Sequence, residues 1–317
     1  MNDIVSVGEI LIDLTQNGID ENGIPIYKAN PGGAPANVAV AASKLGAKTA
    51  FIGKIGNDYY GRFLKSVLEK YNVDTKGLMT DSDSNTTVAI VSIDENGERS
   101  FSFYRNDCAD TKLLEDEIQD EQIGNTHFLH FGSVSLTNEP SRAATLSAAI
   151  CAKSFGATVT YDPNYRANLW NDIDEAIEHI TKPLAIVDIL KISDEELQLI
   201  SGTDILDEGT KQIYDAYSIQ LILVTLGEKG VYYRFGDKTG IVDGFKVDVA
   251  DTNGAGDTFF GAFLSRLAKF EKYDLSKLSE DELKQMLKFS NIAAALTVSR
   301  SGAIPAMPTL DEVQHFE

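Results

Sequence analysis

The sequence predicts an α/β fold in which helices cover both faces of a central, mostly parallel sheet. Short apolar runs alternate with helical patterns almost from end to end of the 317-residue chain. DIVSVGEI precedes APANVAVAASKLG, TAFIGKIG precedes DYYGRFLKSVLEKY, and THFLHFG precedes SRAATLSAAICAKSFG. Because parallel strands need long crossover connections, this repetition indicates a parallel sheet, and ligands are expected at the carboxyl ends of its strands.

Two segments interrupt the strand and helix rhythm. The chain between Ile10 and Asn30 is extended in character with DENG as a turn, and TTVAIVSIDENGERSFSFYR is predicted to form two strands joined by a second DENG turn. With no helix between them, these strands are expected to be antiparallel and to form a small separate sheet, or lid, from about residues 10–30 and 86–106. No linker of biased composition divides the chain, so residues 1–317 are expected to form one unit.

Composition and charge indicate which partners, which cell compartment and which kinds of site to expect. The formal charge is −20, from 28 basic and 48 acidic residues, which argues against nucleic acid and anionic membranes as partners, since both need clustered Lys and Arg. The start of the chain lacks a secretory pattern and no apolar run reaches the length of a membrane span, so we expect a cytoplasmic protein. Cys108 and Cys151 suggest neither a disulfide nor a metal site, and His127 and His130 favour strand packing over metal ligation.

The stretch DTNGAGDTFFGAF places Asp257 after a Gly-Ala-Gly turn, immediately before an apolar helix. Free N–H groups and the positive end of the helix dipole make such a turn an anion site, so a phosphate could rest on Gly254 to Gly256. Asp257 would then stand beside a phosphoryl group. An acid in the first helical turn is also an ordinary capping choice, so this stretch alone leaves both interpretations open.

A second glycine pair and a carboxylate come early in the chain. In PGGAPANVAVAASKLGA, Gly32 and Gly33 permit close backbone approach, and Asn37 can project an amide toward a ligand held over them. The alternative is a helix start that simply packs closely. Asp13 follows the first core strand, where a carboxylate could accept sugar hydroxyl hydrogen bonds or serve as a turn acid.

Three later motifs give weaker evidence for a ligand site when each is taken alone. In YDPNYRANLW, Arg166 follows a strand end and is either a ligand group or a surface residue. Glu196 in KISDEEL could reach the water shell of a divalent ion or add charge to a helix start. In LILVTLGEKGVYYRF, Thr225 and Gly227 would lie where a nucleotide could pass, although a hairpin also needs such glycines.

Taken in order, these motifs resemble the PfkB (ribokinase-like) family of carbohydrate kinases over essentially the whole chain. PGGAPANVAVAASKLG resembles the family's N-terminal signature and DTNGAGDTFFGAF its C-terminal one. GEILIDL, FYR, YDPNYRANLW, VTLGEKG and NIAAALTVSRSGAIPAMP resemble the fructokinase branch. The resemblance implies a ribokinase-like α/β body with a small β lid, in agreement with the strand pattern.

The resemblance also implies roles for the candidate catalytic residues. It makes Asp257 the catalytic base, and Gly254, Ala255 and Gly256 the anion hole that receives the developing charge.

For the sugar, the resemblance implies binding by Asp13, Gly33 and Asn37. Arg105 and Arg166 match positions that close over the sugar in the fructokinase branch.

For the nucleotide, the matching positions are Thr225, Gly227 and Asn291. The family's Asn-x-x-Glu motif, linked to magnesium and phosphate, here begins with Ser193, so only Glu196 carries over, as an indirect metal ligand through water.

The implied reaction is ATP-dependent phosphorylation of fructose to fructose 6-phosphate, with Mg²⁺ bound to the ATP phosphates. A monovalent cation such as K⁺ is implied near Asp251, Thr252 and the loop from Val298 to Gly302. A kinase for 2-keto-3-deoxygluconate is the runner-up. A binding protein without catalysis conflicts with the intact GAGD, and a nucleotide-dependent oxidoreductase would need G-x-G-x-x-G after the first strand.

The lid also predicts self-association. Its β segments carry apolar residues such as Val88, Ile90 and Phe103, and a sheet of few strands is marginal alone, so we expect a homodimer through the lid.

Overall fold

The computed structural model describes residues 1–93, 99–270 and 275–316. Over these ranges the chain forms a nine-stranded sheet and a four-stranded sheet, together with ten α-helices. The strands are β1 (Asn2–Val7), β2 (Leu11–Ile19), β3 (Pro25–Gly32), β4 (Thr49–Gly56), β5 (Val73–Asp81), β6 (Val88–Ile93), β7 (Arg99–Tyr104), β8 (Thr126–Gly132), β9 (Thr158–Asp162), β10 (Ile189–Ser193), β11 (Leu221–Thr225), β12 (Val231–Phe235) and β13 (Lys238–Val242). The helices are α1 (Ala34–Lys44), α2 (Tyr59–Lys70), α3 (Asp120–Ile123), α4 (Ser141–Ser154), α5 (Ile173–Thr181), α6 (Asp194–Ser201), α7 (Leu206–Tyr217), α8 (Ala255–Leu267), α9 (Glu280–Val298) and α10 (Leu310–Phe316).

The large sheet has the strand order β13-β12-β11-β10-β9-β8-β1-β4-β5. The strands from β5 to β11 pair in parallel, and β12 and β13 add an antiparallel edge. The predicted α/β class with a mostly parallel sheet is therefore confirmed. The carboxyl ends of seven strands meet at one edge of this sheet, where the predicted ligand residues are placed.

Burial on both faces explains why the central strands are continuously apolar. Leu221 and Leu223 of β11 belong to one hydrophobic cluster, and the alternating Ile222 and Val224 belong to another. Successive side chains of a strand point to opposite faces, so the apolar residues of LILVT pack alternately into two hydrophobic clusters.

The four-stranded sheet is the lid, with the order β3-β2-β6-β7. Each hairpin is antiparallel, but β2 and β6 pair in parallel, so the expectation of purely antiparallel strands was wrong at the centre of the lid. The chain passes through α1, β4, α2 and β5 between the two hairpins, and this long connection lets the second hairpin enter in the same direction as β2.

Of the two predicted DENG turns, the first lies within the described residues. In the first, Asp20 Oδ1 accepts hydrogen bonds of 2.8 Å from the N–H groups of Asn22 and Ile24, which fixes the β2–β3 connection. The second, Asp94 to Gly97, lies outside the described residues.

His130 packs inside the body, as the sequence favoured. It is buried in β8, its ring lies 5.2 Å from that of Phe260, and its Nδ1 is 3.2 Å from Thr160 Oγ1. Burial lowers its pKa to about 3, so the ring stays neutral.

In the described part of the chain, no helix combines the length and apolar character needed to span a bilayer.

Candidate active site

The Gly-Ala-Gly turn forms the start of helix α8, as predicted. Gly254 caps the helix with φ of 74°, a left-handed conformation that glycine adopts without strain. A Cβ at Gly254 would lie 2.9 Å from the Cβ of Ala303, so the position has no room for a side chain. The first N–H groups of a helix have no carbonyl partner within it, and the helix dipole adds positive potential. The turn can therefore bind an anion.

Asp257 lies in the first turn of α8 and is buried. Its Oδ2 accepts a 2.8 Å hydrogen bond from Asn37 Nδ2. Burial and the neighbouring Asp162 raise the pKa of Asp257 to about 6, against the opposing effects of Asn37, Lys191 and Arg166. A carboxyl with a pKa near neutrality can accept a proton and release it again, which is what a general base requires.

Helix α1 brings Asn37 to this position. Gly33 caps α1 with φ of 105°, and a Cβ there would collide with the backbone of Glu9 and Ile10. Glu9 Oε1 accepts a 2.8 Å hydrogen bond from Ala34 N–H, while its buried Oε2 has no hydrogen-bond partner in the described part of the chain. Burial raises the pKa of Glu9 to about 7. The sequence reasoning missed Glu9, although an acidic residue directly after an apolar strand was a usable signal.

The Asp13 carboxylate lies diagonally across the lid hairpin, against Gly32. A side chain at Gly32 would overlap the Asp13 carboxylate, so glycine is required for Asp13 to lie flat against β3. Burial raises the pKa of Asp13 to about 7; Arg166 opposes this shift, while Asp257 and Asp251 add to it. The carboxyl groups of Asp13 and Asp257 therefore share one electrostatic environment.

A cleft between lid and body collects most of the predicted sugar residues. Arg166 enters it after the β9 end, where Asn164 has a positive φ of 49° and Arg166 Nη1 donates to the carbonyl of Tyr165 at 3.0 Å. The lining side chains come from the lid and from the body: Leu11, Asp13, Phe103, Asn37, Arg166 and Asp257. Phe103 thus faces the cleft.

Arg105 does not line this cleft in the described residues. Its guanidinium is buried and donates to Asp110 Oδ2 at 2.6 Å, to Thr137 Oγ1 at 2.6 Å and to the Val134 carbonyl at 3.0 Å. Val134 itself lines the cleft. Arg105 holds the segment after β7 against the body, and its direct contact with a sugar stays a prediction.

A second cleft of about 290 Å³ lies on the other side of the Gly-Ala-Gly turn. Thr225, Gly227 and Asn291 line it, as does Gly256, so the three predicted nucleotide residues come together. Asn291 Nδ2 donates to the carbonyls of Val242 and Asp243, both at 3.0 Å, and so fixes the start of the loop that follows β13. The sequence reasoning missed this loop, whose lining residues are Gly244, Phe245, Lys246, Val247 and Val249.

Glu196 is buried and bound by backbone amides. Its Oε2 accepts from Ser193 N–H at 2.8 Å and its Oε1 accepts from Tyr165 N–H at 2.7 Å, while Ser193 Oγ accepts from Glu196 N–H. Glu196 therefore closes a capping box on α6 and ties it to the loop that carries Arg166. Serine at position 193 supplies the cap oxygen. Contact of Glu196 with a magnesium-bound water stays a prediction.

A buried ion pair that the sequence reasoning missed lies beneath the turn. Lys191 Nζ is 2.7 Å from Asp162 Oδ2, and both side chains are almost fully buried. The two residues are far apart in sequence and sit on the neighbouring strands β10 and β9. A lysine inside an apolar strand, ILKIS, was the available signal.

Asp251 joins the turn to the loop after α9. Its Oδ1 accepts from Asn253 N–H at 2.8 Å and its Oδ2 accepts from Gly302 N–H at 3.0 Å. The N–H groups of Ala250 and Asp251 donate to the Val298 carbonyl. Thr252 lines the second cleft. Among the described residues, no group of three or more His, Cys, Asp or Glu side chains could hold a metal ion.

Comparisons with known proteins agree with this architecture. The family of pfkB carbohydrate kinases matches residues 1–310. The chain is 42% identical to probable fructokinase-2 of Arabidopsis thaliana over 316 residues, which cover 99% of the chain and 95% of the relative. It is 42% identical to fructokinase-1 of Zea mays over 313 residues, or 98% of the chain and 96% of the relative.

Two solved structures share the fold over their full length. Fructokinase from Xylella fastidiosa with bound ATP superposes with a TM-score of 0.91 at 33% identity, covering 99% of this chain and 98% of that one. Fructokinase from Vibrio cholerae O395, bound to fructose, ADP and calcium, gives a TM-score of 0.88 at 34% identity with the same coverage. The nine-stranded body, the lid, the two clefts at the Gly-Ala-Gly turn and these full-length matches place the chain in the pfkB family of carbohydrate kinases.

Proposed function

We propose that this protein is an ATP-dependent fructokinase that phosphorylates the 6-hydroxyl of D-fructose. The observation that carries the proposal is the position of the turn from Gly254 to Gly256. Gly254 and Asp257 line the cleft beneath the lid, and Ala255 and Gly256 line the second cleft. A sugar in the first cleft and a nucleotide in the second would meet at this turn. The names of the relatives above support fructose as the sugar and ATP as the nucleotide.

In the proposed reaction, Asp257 accepts the proton and the amides of the turn stabilise the transferred phosphoryl group. Asp257 takes the proton of the sugar hydroxyl as the oxygen attacks the γ-phosphorus and the bond to the leaving oxygen of ADP breaks. The amides of the turn receive negative charge on the transferred group. Asp257 then releases the proton to solvent, and fructose 6-phosphate and ADP leave. Phosphoryl transfer needs little covalent help from protein, so position and charge account for most of the rate.

Asp13, Asn37 and Arg166 hold the sugar in the proposed complex. Asn37 Oδ1 is buried and has no hydrogen-bond partner among the described residues, so it can accept from a sugar hydroxyl. Asp13 accepts hydroxyl hydrogen bonds on the lid side, and Gly32 and Gly33 let the sugar approach the backbone. Arg105 secures the lid, and Arg166 donates to the sugar.

The nucleotide side uses Thr225, Gly227 and Asn291 in the second cleft. Magnesium bound with ATP would supply positive charge to the phosphates, and Glu196, in the first turn of α6, would hold it through water. A monovalent cation beside the loop 298–302 is part of the proposal, supported by a double-mutant fructokinase of Vibrio cholerae O395 that was solved with fructose, ADP and potassium.

The lid supports a proposed homodimer. Ile19, Ile24, Ile26 and Tyr27 of the first hairpin are large apolar residues with 42–62% of their surface exposed. Exposed apolar patches of this kind are typical of interaction sites, and a second lid would cover them.

We place the proposed activity in the cytoplasm, where thiols such as the free Cys108 and Cys151 are kept reduced.

The charges of the cleft favour a neutral sugar over a sugar acid. Among the described residues that line the cleft, three carry carboxyl groups, Glu9, Asp13 and Asp257, and one, Arg166, is a cation. A ligand carboxylate would meet repulsion in a partly desolvated space.

A coupled assay of ATP consumption with a panel of sugars and sugar acids tests the proposal. We expect kcat/KM for fructose to exceed that for 2-keto-3-deoxygluconate by at least about 10²-fold, or roughly 3 kcal/mol in transition-state binding. Equal turnover of the sugar acid would refute fructose as the preferred substrate. No turnover with any sugar would refute the kinase activity.

A further inference from the structure

We propose that Lys191 is a further catalytic residue, whose ammonium group contacts the phosphoryl group as it passes from nucleotide to sugar. This inference rests on the proposed kinase function and adds to it a cation supplied by the protein.

The fold delivers Lys191 to the reacting end of the sheet. It lies on β10, two residues before the strand ends at Ser193, and β9 brings Asp162 alongside. The Lys191 side chain is 8% exposed, and it lines a cavity together with Arg166, Ser193 and Glu196. A buried lysine at the carboxyl end of a parallel strand is placed where this class of sheet binds ligands.

The ammonium of Lys191 lies against the Gly-Ala-Gly turn. A Cβ built on Gly256 would lie only 2.9 Å from Lys191 Nζ. Glycine at this position therefore lets the ammonium approach the turn, and Gly256 also lines the nucleotide cleft. A phosphoryl group bound to the amides from Gly254 to Gly256 would come within reach of Lys191.

The ammonium of Lys191 has N–H donors available for a ligand. Lysine carries three N–H donors, and among the described residues Asp162 is the hydrogen-bond partner of Nζ. Asp162 fixes the direction of the side chain, which leaves the other donors for a ligand. A lysine that served only to neutralise Asp162 would not require a glycine beside its ammonium.

The surrounding charges keep Lys191 protonated. Burial lowers its pKa, but Asp162, Glu196 and Asp257 outweigh burial, so the pKa is raised above the ordinary value. A positive charge in a buried site is most effective where negative charge develops during transfer. The carboxyl-rich site would otherwise repel the phosphates of ATP.

Calorimetric titration of wild type and Lys191→Met with two nucleotides tests the contact. The β,γ-imido analogue of ATP and ADP differ in the γ-phosphoryl group, and both are titrated with magnesium present. We expect the variant to lose about 10-fold more affinity for the analogue than for ADP, the scale of a charge-assisted hydrogen bond. We also expect kcat to fall by about 10²-fold, with the KM for fructose nearly unchanged.

Lys54→Met is the matched control. Lys54 is also a buried strand lysine, paired with Glu117 at 2.7 Å, but it belongs to β4 and lines a different cavity, formed with Asp81, Asp107 and Thr111. Its replacement should leave the ratio of the two nucleotide affinities unchanged. The double variant Lys191→Met with Asp162→Asn removes both charges of the buried pair, so it tests function without leaving Asp162 unpaired.

Two results would overturn the proposal. One is an unchanged ratio of nucleotide affinities in Lys191→Met, and the other is near wild-type kcat in the double variant. If wild type proves inactive toward fructose, the proposed function fails, and the nucleotide titration still decides whether Lys191 contacts the γ-phosphoryl group.

Discussion

Asn37 Nδ2 lies 2.8 Å from Asp257 Oδ2, although the two residues are 220 positions apart in sequence. The contact joins the first turns of helices α1 and α8, which pack against each other beneath the lid. It stabilises the ionised form of Asp257 against burial and the nearby Asp162. The carboxyl group proposed as the base is therefore tuned by a residue proposed to bind the sugar.

Asp257→Asn tests the base directly. The amide keeps the size of the side chain but cannot accept a proton, so kcat should fall by about 10²-fold or more. Fructose affinity should change far less. Steady-state kinetics with Asp311→Asn as control checks this, since Asp311 is an exposed acid in the first turn of α10. Near-normal turnover in Asp257→Asn would contradict the assignment.

The pH profile of kcat/KM should report the ionisation of Asp257. Because the base must be ionised and its pKa is raised to about 6, kcat/KM should fall as the pH drops below about 6. Asn37→Ala removes a hydrogen bond that lowers this pKa, so the acid limb should move to higher pH. Profiles of both proteins between about pH 5 and 9 check the shift. The role of Asn37 would be rejected if the variant kept the wild-type limb.

Glu9→Gln should stabilise the protein at alkaline pH. The pKa of Glu9 is raised from 4.5 to about 7 in the folded state. Between these values the unfolded chain has lost the proton while the folded protein retains it, so folding stability falls as the pH rises through this window. The loss is of order 3 kcal/mol, at 1.36 kcal/mol per pKa unit.

Thermal unfolding at two pH values checks this sign. Glutamine keeps an oxygen for the Ala34 N–H and has no charge to bury. The Tm gain of Glu9→Gln over wild type should be clear at pH 8 and small near pH 4.5. An equal gain at both pH values would show that ionisation of Glu9 is not the cause.

Ile26→Lys should weaken the proposed dimer. Ile26 is 47% exposed on the lid hairpin, and a charge there would be costly to bury against a second lid. Size-exclusion chromatography with light scattering at micromolar concentration should give a dimer for wild type and a monomer for the variant. Ile150→Lys, on the exposed side of α4, should remain dimeric. A monomeric wild type would argue against the dimer itself.

Local patterns were sufficient to predict the α/β class and the start of α8. Alternating apolar strands and amphipathic helices determine the layers of the fold, and glycines before an apolar helix determine a turn with free amides. Asp257, Gly254 and Gly256 could be singled out because their neighbours in sequence are also their neighbours in the site.

Contacts between distant elements could not be predicted in this way. The ion pair of Lys191 with Asp162 depends on the order of β9 and β10, and the approach of Lys191 to Gly256 depends on how α8 packs against the sheet. The acceptors around the Arg105 guanidinium, Asp110 Oδ2 and the Val134 carbonyl, likewise come from tertiary packing, while its contact with a sugar stays a prediction.

Periodicity and backbone freedom over a few residues were enough to predict the main strands and helices and the Gly-Ala-Gly turn that begins α8. Long-range packing is responsible for the parallel pairing of β2 with β6, the amide partners of Glu196 and the raised pKa values of Glu9, Asp13 and Asp257. The reason is that burial and charge interactions depend on distance in space, and chain folding brings together carboxyl groups that are far apart in sequence.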